Sequence, residues 1–221
     1  MQADDSTAGP TGAEPRPVHR DPERTRAAIL AAATREFAEK GLGGARVDSI
    51  ALRAGTNKRM LYHYFGDKEA LYLVVLENAY AGIRGAEATL DLGHRDPEEA
   101  LRELALFTWR YFVEHPEFIS LLNTENLMRA RFLKGSKRIR EMQTHLVGEL
   151  SAVLRRGERK GLFAPDLDPL HVYLTMASMS VFYLSNQYTL SVILDRELAE
   201  PDRLAAWEAH VVHTVLASVR A

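Results

Sequence analysis

The chain has 221 residues, 46% of them hydrophobic and 26% charged, with no cysteine and a formal net charge of −2. Such a chain can bury a substantial core, and without thiols it forms neither disulfides nor thiolate metal sites. No apolar run reaches the roughly 18 residues of a membrane span, and the first residues lack the basic and apolar stretches of a signal peptide, so a cytoplasmic location and no membrane partner are expected.

The charge is unevenly placed. Residues 1–15 carry Asp4, Asp5 and Glu14 but no Lys or Arg, whereas residues 16–68 carry eleven Lys or Arg against six Asp or Glu. A basic excess gathered on one segment is the electrostatic footprint of nucleic-acid binding, although a solvated surface can also carry it. Residues 1–20 have no hydrophobic periodicity and read as a disordered tail. Arg16, His19 and Arg20 at its end lie near the basic segment, within reach of phosphates or a minor groove, unless they are only a solvated leader.

Asp21-Pro22 opens a first helix, with Asp as cap and Pro in the first turn. Ile29, Leu30, Ala33, Phe37 and Ala38 give it a buried stripe, and Gly41 ends it. Val47, Ile50, Ala51 and Ala54 form a second, shorter apolar face, whose start at Ala45 lacks a hydroxyl cap. Gly55 supplies a sharp turn into a third helix, from the cap residue Asn57 to Tyr64, with Leu61 and Phe65 inward. A short helix presented by such a turn is how a helix-turn-helix reads a major groove. Its outward residues suit that task. Lys58 and Arg59 can donate to guanine or phosphate oxygens, Met60 and the Tyr62 ring can pack on a thymine methyl, and Tyr62 and His63 can reach phosphates. Lys68, at a helix start, favours a phosphate, and Thr25, Arg46 and Asn57 complete the candidate DNA-binding set.

The stretch Ala54–Tyr72, AGTNKRMLYHYFGDKEALY, resembles the signature of the tetracycline-repressor (TetR) family, a turn followed by Leu-Tyr-x-(His/Tyr)-Phe-x-x-Lys-x-x-Leu. The likeness covers about Thr25 to Leu76, with Thr56 where a branched aliphatic is usual and Ala45 where threonine is usual. It implies an all-α homodimer with a DNA-binding N-terminal domain, a variable ligand-binding body, and Tyr64 at a position that often contacts phosphate. The implied division is a tail over 1–20, a helix-turn-helix domain over 21–67 and a ligand-binding and dimerisation domain over 68–221, with about nine helices in all.

From its cap Asp67, a fourth helix runs from Lys68 to about Leu90 and links the two parts. A fifth follows Asp96-Pro97, and His115-Pro116 interrupts it. A sixth, about Glu117 to Phe132, carries the run Asn123-Thr124-Glu125-Asn126 among Leu and Met. A long amphipathic helix extends to about Lys160, and two apolar helices, about 170–194 and 201–219, close the chain. These two either complete the monomer core or form a self-complementary four-helix interface, and the family resemblance favours the homodimer.

Buried amides and carboxylates need partners. Asn123, Glu125, Asn126 and Arg129, together with Tyr173, Tyr183, Asn186 and Gln187, could supply the polar groups of a pocket or bond one another between helices. Trp109, Tyr111, Phe112 and Phe118 could supply its aromatic walls. A small aromatic or heterocyclic effector, anionic near Arg129, is the expectation. No cofactor is implied, and no metal, because His210 and His213 share a helix face without a metal-binding motif. No Gly-x-Ser-x-Gly elbow or other catalytic motif is present. The expected function is a DNA-binding transcriptional regulator, a repressor released from a near-palindromic operator by a small molecule. The alternatives are an activator or ligand-independent regulator, or, more remotely, a helical enzyme with a DNA-binding appendage.

Overall fold

The computed structural model describes residues 21–221, and the expected tail over 1–20 lies outside them. Among the described residues there are nine α-helices and one 3-10 turn, and no named strand. They are α1 (Pro22–Gly44), α2 (Val47–Arg53), α3 (Lys58–Phe65), α4 (Lys68–Glu87), α5 (Pro97–Glu114), α6 (Pro116–Leu127), α7 (Lys137–Arg159), α8 (Pro169–Ile193) and α9 (Pro201–Val219), with the 3-10 turn at Leu133–Gly135. No helix among them is long and apolar enough to cross a membrane.

Side-chain caps set most of the helix starts. Asp21, Asn57, Asp67, Asp96, Ser136 and Asp168 each accept a hydrogen bond from a first-turn amide, satisfying donors the helix leaves open. The start of α2 is different. Its cap is Arg46, not Ala45, and no side chain of its own caps it. Instead Glu36 of α1 reaches across and accepts the Arg46 amide at 3.2 Å. Glu36 is fully buried. Burial works against its charge, but hydrogen bonds from Lys40 and the Arg46 amide and the charges of Lys40 and Arg53 outweigh it and hold the carboxyl below its ordinary range. Helix α1 loses helical geometry at Gly41 (φ 63, ψ 175), in the left-handed region glycine tolerates, so the expected end there stands.

Two expected ends shift inward. Helix α4 stops at Glu87 and α6 at Leu127. After α6, Arg129 and Ala130 adopt φ of 56° and 57°. The buried Glu125 Oε2 accepts the amides of Phe132 and Leu133 at 3.2 and 3.1 Å, which folds the chain back before a further helical turn can form.

The core has three parts. In the body, α5, α7, α8 and α9 enclose Leu101, Leu104, Leu150, Val153, Met176 and Val215. An aromatic cluster joins α4, α5, α6 and α8 through Ile83, Trp109, Phe112, Phe118 and Tyr183. The remaining part is shared. Ile29, Phe37, Ile50 and Leu61 from α1–α3 pack with Leu71, Tyr72 and Val75 of α4, Leu121 of α6 and Ile139 of α7. Phe37, Tyr72 and Phe132 make successive edge-to-face contacts at 5.1 and 5.2 Å. The first three helices therefore rest directly on α4 and α6, and α7 packs against α4 beside them.

Candidate functional site

Gly55, at φ 62°, turns the chain between α2 and α3. Asn57 Oδ1 then accepts the Met60 amide at 3.0 Å and fixes the first turn of α3. Leu61 and Phe65 are buried, which leaves Lys58, Arg59, Tyr62 and His63 exposed on the opposite side. This face carries the donors and aromatic surface that base edges and phosphates accept. Lys58 Nζ lies 3.2 Å from Asp48 of α2, an exposed pair that a phosphate can displace.

The other expected DNA-contacting residues have more mixed surroundings. Arg46 is exposed, and Met60, Tyr64 and Thr25 are half-buried. The Tyr64 ring packs edge-to-face on His63 at 5.3 Å. Thr25 donates to the Asp21 carbonyl at 3.1 Å. The Asn57 side chain serves as the cap of its own helix. Lys68 differs most from expectation. Its ammonium donates to the Leu42 and Ala45 carbonyls at 2.9 and 3.2 Å, clipping the start of α4 to the α1–α2 connection.

The expected pocket residues divide. Trp109, Phe112, Phe118 and Tyr183 are brought together in the aromatic cluster, with Tyr111 packed at its edge. Phe112 stacks on Phe118 at 5.5 Å, and Trp109 meets Tyr183 edge-on at 5.5 Å. Tyr173 packs instead against the body core. The polar run does not converge with them. Glu125 is occupied by backbone amides, as described above. Asn126 is exposed and donates to the Leu122 carbonyl of its own helix. Arg129 is exposed beyond the end of α6, where its positive φ belongs to the reversal and its side chain leaves the interior. Asn123 accepts from Ser185 at 3.3 Å, a helix-to-helix bond between α6 and α8. Asn186 donates to the Phe182 carbonyl, and the Gln187 carbonyl accepts from Ser191.

A separate set of interior polar groups lies on α4. Tyr80, Arg84 and Glu87 fall at i, i+4 and i+7 on α4, one face of the helix. Glu87 is 5% exposed; burial pushes its carboxyl up, Arg84 pulls it down and Glu149 adds to the rise, leaving it at about 7. Burial likewise pushes the Tyr80 hydroxyl up to about 12, with Tyr173 adding to the rise. The spacing of these three residues is readable in the sequence, but a single polar stripe on an otherwise apolar helix passes for its solvent side.

Among the described residues, no three His, Cys, Asp or Glu side chains gather to hold a metal ion. The outer face of α8 presents Leu174, Phe182, Tyr188 and Val192, which are 50 to 83% exposed. Beside it, Tyr183, Leu190, Leu198 and Trp207 line an apolar cleft of about 480 Å³ between α8 and α9. Exposed apolar side chains on this scale mark an interaction surface.

Comparison with known proteins places this architecture. Residues 29–75 match the model "Bacterial regulatory proteins, tetR family", and residues 97–215 match "Tetracyclin repressor-like, C-terminal domain". The HTH-type transcriptional repressor NicS of Pseudomonas putida is 42% identical over 198 residues, covering 90% of this chain and 93% of that protein. The HTH-type transcriptional repressor SCO4008 of Streptomyces coelicolor is 34% identical over 73% of this chain and 81% of its own length. The crystal structure of the transcriptional regulator SCO4942 from Streptomyces coelicolor superposes with a TM-score of 0.67 at 29% identity, over 88% of this chain and 98% of that one. With both family models matched and a repressor 42% identical over nine-tenths of the chain, the chain belongs to the tetR family of DNA-binding, helix-turn-helix transcriptional regulators.

Proposed function

We propose that this regulator is a repressor that binds its operator as a homodimer and is released by a small-molecule effector held in the body. The observation that carries the reading is the joint between head and body. The core of α1–α3 includes residues of α4, α6 and α7, and Lys68 clips α4 to the α1–α2 connection. A change of packing among the body helices then moves the reading helix with it. Residues 21–67 act as the reading head and 68–221 as the sensing and dimerising part.

In the operator-bound state the two α3 helices sit about 34–36 Å apart, entering successive major grooves of a near-palindromic site. An effector that favours a state with a different spacing shifts the population and weakens operator binding. The α8 stripe and the α8–α9 cleft form the homodimer interface. Both named relatives are transcriptional repressors, which supports the same sign of regulation here.

The reading face is tested with a duplex selected from a random pool by the full-length chain. Arg59→Met and Tyr62→Ala each lower affinity for the selected duplex by roughly tenfold or more while circular dichroism and oligomeric state stay unchanged. Selected-site affinity unaltered in both variants would exclude α3 as the reading helix.

A further inference from the structure

Arg84 is a buried cation with incomplete partners. Its side chain is 11% exposed, and Nη1 lies 2.6 Å from Glu87 Oε2. That contact is off the hydrogen-bond direction, so Nε and Nη1 are both buried without a hydrogen-bond partner. An unmet donor on a buried charge is among the least favourable arrangements a core can hold. Glu87 is 5% exposed; burial raises its carboxyl, Arg84 lowers it and Glu149 adds to the rise, which leaves it at about 7.

The surroundings have the composition of a small-molecule site. Tyr80, one turn before Arg84, meets Phe118 edge-on at 5.2 Å. The Tyr111 hydroxyl lies 2.9 Å from where a Cβ on Gly82 would be, so the missing side chain lets that ring close against α4. The charge of Arg84 acts on Tyr80 and Tyr111, and Tyr80 is also influenced by Tyr173 and Glu125. On the other side of Tyr111, a solvent-open groove of about 520 Å³ runs along α5, lined mostly by charged side chains such as Arg102, Glu103 and Arg110 with Leu106 and Phe107 between them; Arg84 does not line it.

We propose that Arg84 is the anion-recognition residue of the effector site, that the effector is a small aromatic carboxylic acid, and that its carboxylate binds the guanidinium in place of Glu87, which takes up a solvent proton as it is displaced. This rests on the reading of the body as an effector-binding unit. A carboxylate offers two oxygens to the planar guanidinium fork and meets the donors that Glu87 leaves unmet. Its ring lies against Tyr80, Tyr111 and Phe118. Once separated from Arg84, Glu87 keeps its burial and the Glu149 charge but loses the one neighbour that lowers its pKa, so it protonates. His145, with Nδ1 3.9 Å from Glu149 Oε1, faces that outer carboxylate and not Glu87. The anionic aromatic class expected from the sequence is retained, and its cation moves from Arg129 to Arg84.

The test is calorimetry on the full-length chain at about pH 7.5, with benzoate and its neutral counterpart benzamide as probes, in two buffers of different ionisation enthalpy. Saturable benzoate binding is expected, with net uptake of at most roughly three-quarters of a proton per chain, since Glu87 is already partly protonated at that pH, and benzamide weaker by roughly tenfold or more. Arg84→Met should lose benzoate binding by a similar factor. Glu87→Gln, which keeps the guanidinium, should bind benzoate at least as tightly with no proton uptake, and it carries the test if the Arg84 variant fails to fold. The proposal is overturned if benzoate does not bind, if benzamide or Arg84→Met matches the benzoate affinity of the native chain, or if Glu87→Gln still takes up the proton. Affinity for the selected duplex, measured with and without benzoate, separates this site from the release mechanism. Arg84-dependent benzoate binding that leaves DNA affinity unchanged upholds the site and refutes release.

Discussion

Replacing Lys68 by Met separates two roles for a residue that the helix-start position alone assigns to a phosphate. The half-buried ammonium donates to the Leu42 and Ala45 carbonyls at 2.9 and 3.2 Å. Each charge-assisted bond of this kind contributes up to about 1.5–3 kcal/mol when fully buried. Partial exposure reduces that, and the methionine stem retains the packing, so the expected loss for both together is about 2 kcal/mol. For a chain of this size that lowers the melting temperature by roughly 4–8 °C. A phosphate contact makes a different signature. Removing one changes the slope of log K against log salt by about 0.9 for duplex DNA, with little effect on stability. Thermal unfolding and a salt titration with a random-sequence duplex read the two outcomes on one preparation. A lowered melting temperature with an unchanged salt slope is expected. An unchanged melting temperature with a slope reduced by about 0.9 would refute the clip and return Lys68 to the DNA.

Other consequences of the structure are as direct. Glu87 has its folded pKa raised from 4.5 to about 7, so the native state binds a proton more tightly than the unfolded chain between those values. Stability from this group is present at low pH and is lost as pH rises through about 7, by about 3 kcal/mol in total. The stability of Glu87→Gln relative to the native chain therefore improves by that order between about pH 4.5 and pH 8 in denaturant titrations; a pH-independent difference would rule out the buried, proton-binding carboxyl. A Cβ on Gly157 would overlap the Phe163 ring, and Phe163 is 3% exposed. Gly157→Ala should cost about 1–3 kcal/mol by thermal denaturation, with recovery when Phe163→Leu is added; no change in melting temperature would contradict the close approach of α7 to Phe163. Phe182 is 61% exposed on the outer face of α8, and Phe182→Glu should convert a dimer to a folded monomer in analytical ultracentrifugation, because like charges then meet across a two-fold axis. A dimer that persists in this variant places the interface elsewhere.

The reading head was largely legible in the sequence, because its determinants are local. Asn57 as cap, the turn at Gly55, and Leu61 and Phe65 as the inner side of α3 all follow from neighbours within one or two helical turns. The interior of the body depends on contacts across the chain and is legible in the sequence only in its apolar part. Aromatic residues at helical spacing pack inward whatever their partners, so the burial of Trp109, Phe112 and Phe118 follows from their spacing. Asn126 lies on the outer side of α6, bonded to the Leu122 carbonyl, and Arg129 is carried outward by the reversal after α6, which Glu125 sets by taking the amides of Phe132 and Leu133. No local propensity reports that pairing. The clip made by Lys68 is not legible from its neighbours either, since its acceptors lie 26 and 23 residues away. Arg84 and Glu87 need the fold to show that their side of α4 is covered.

The core of α1–α3 is completed by Leu71, Tyr72, Leu121 and Ile139, with Met128 and Phe132 packed against it. Building hybrid regulators by exchanging reading heads is therefore not a matter of cutting between α3 and α4. A foreign head grafted onto this body would meet a seat shaped for Ile29, Phe37 and Leu61, and the mismatch would appear as lost cooperativity between the two halves. A functional graft must carry the facing positions on α4, α6 and the turn before α7, so the exchangeable unit is discontinuous in the chain.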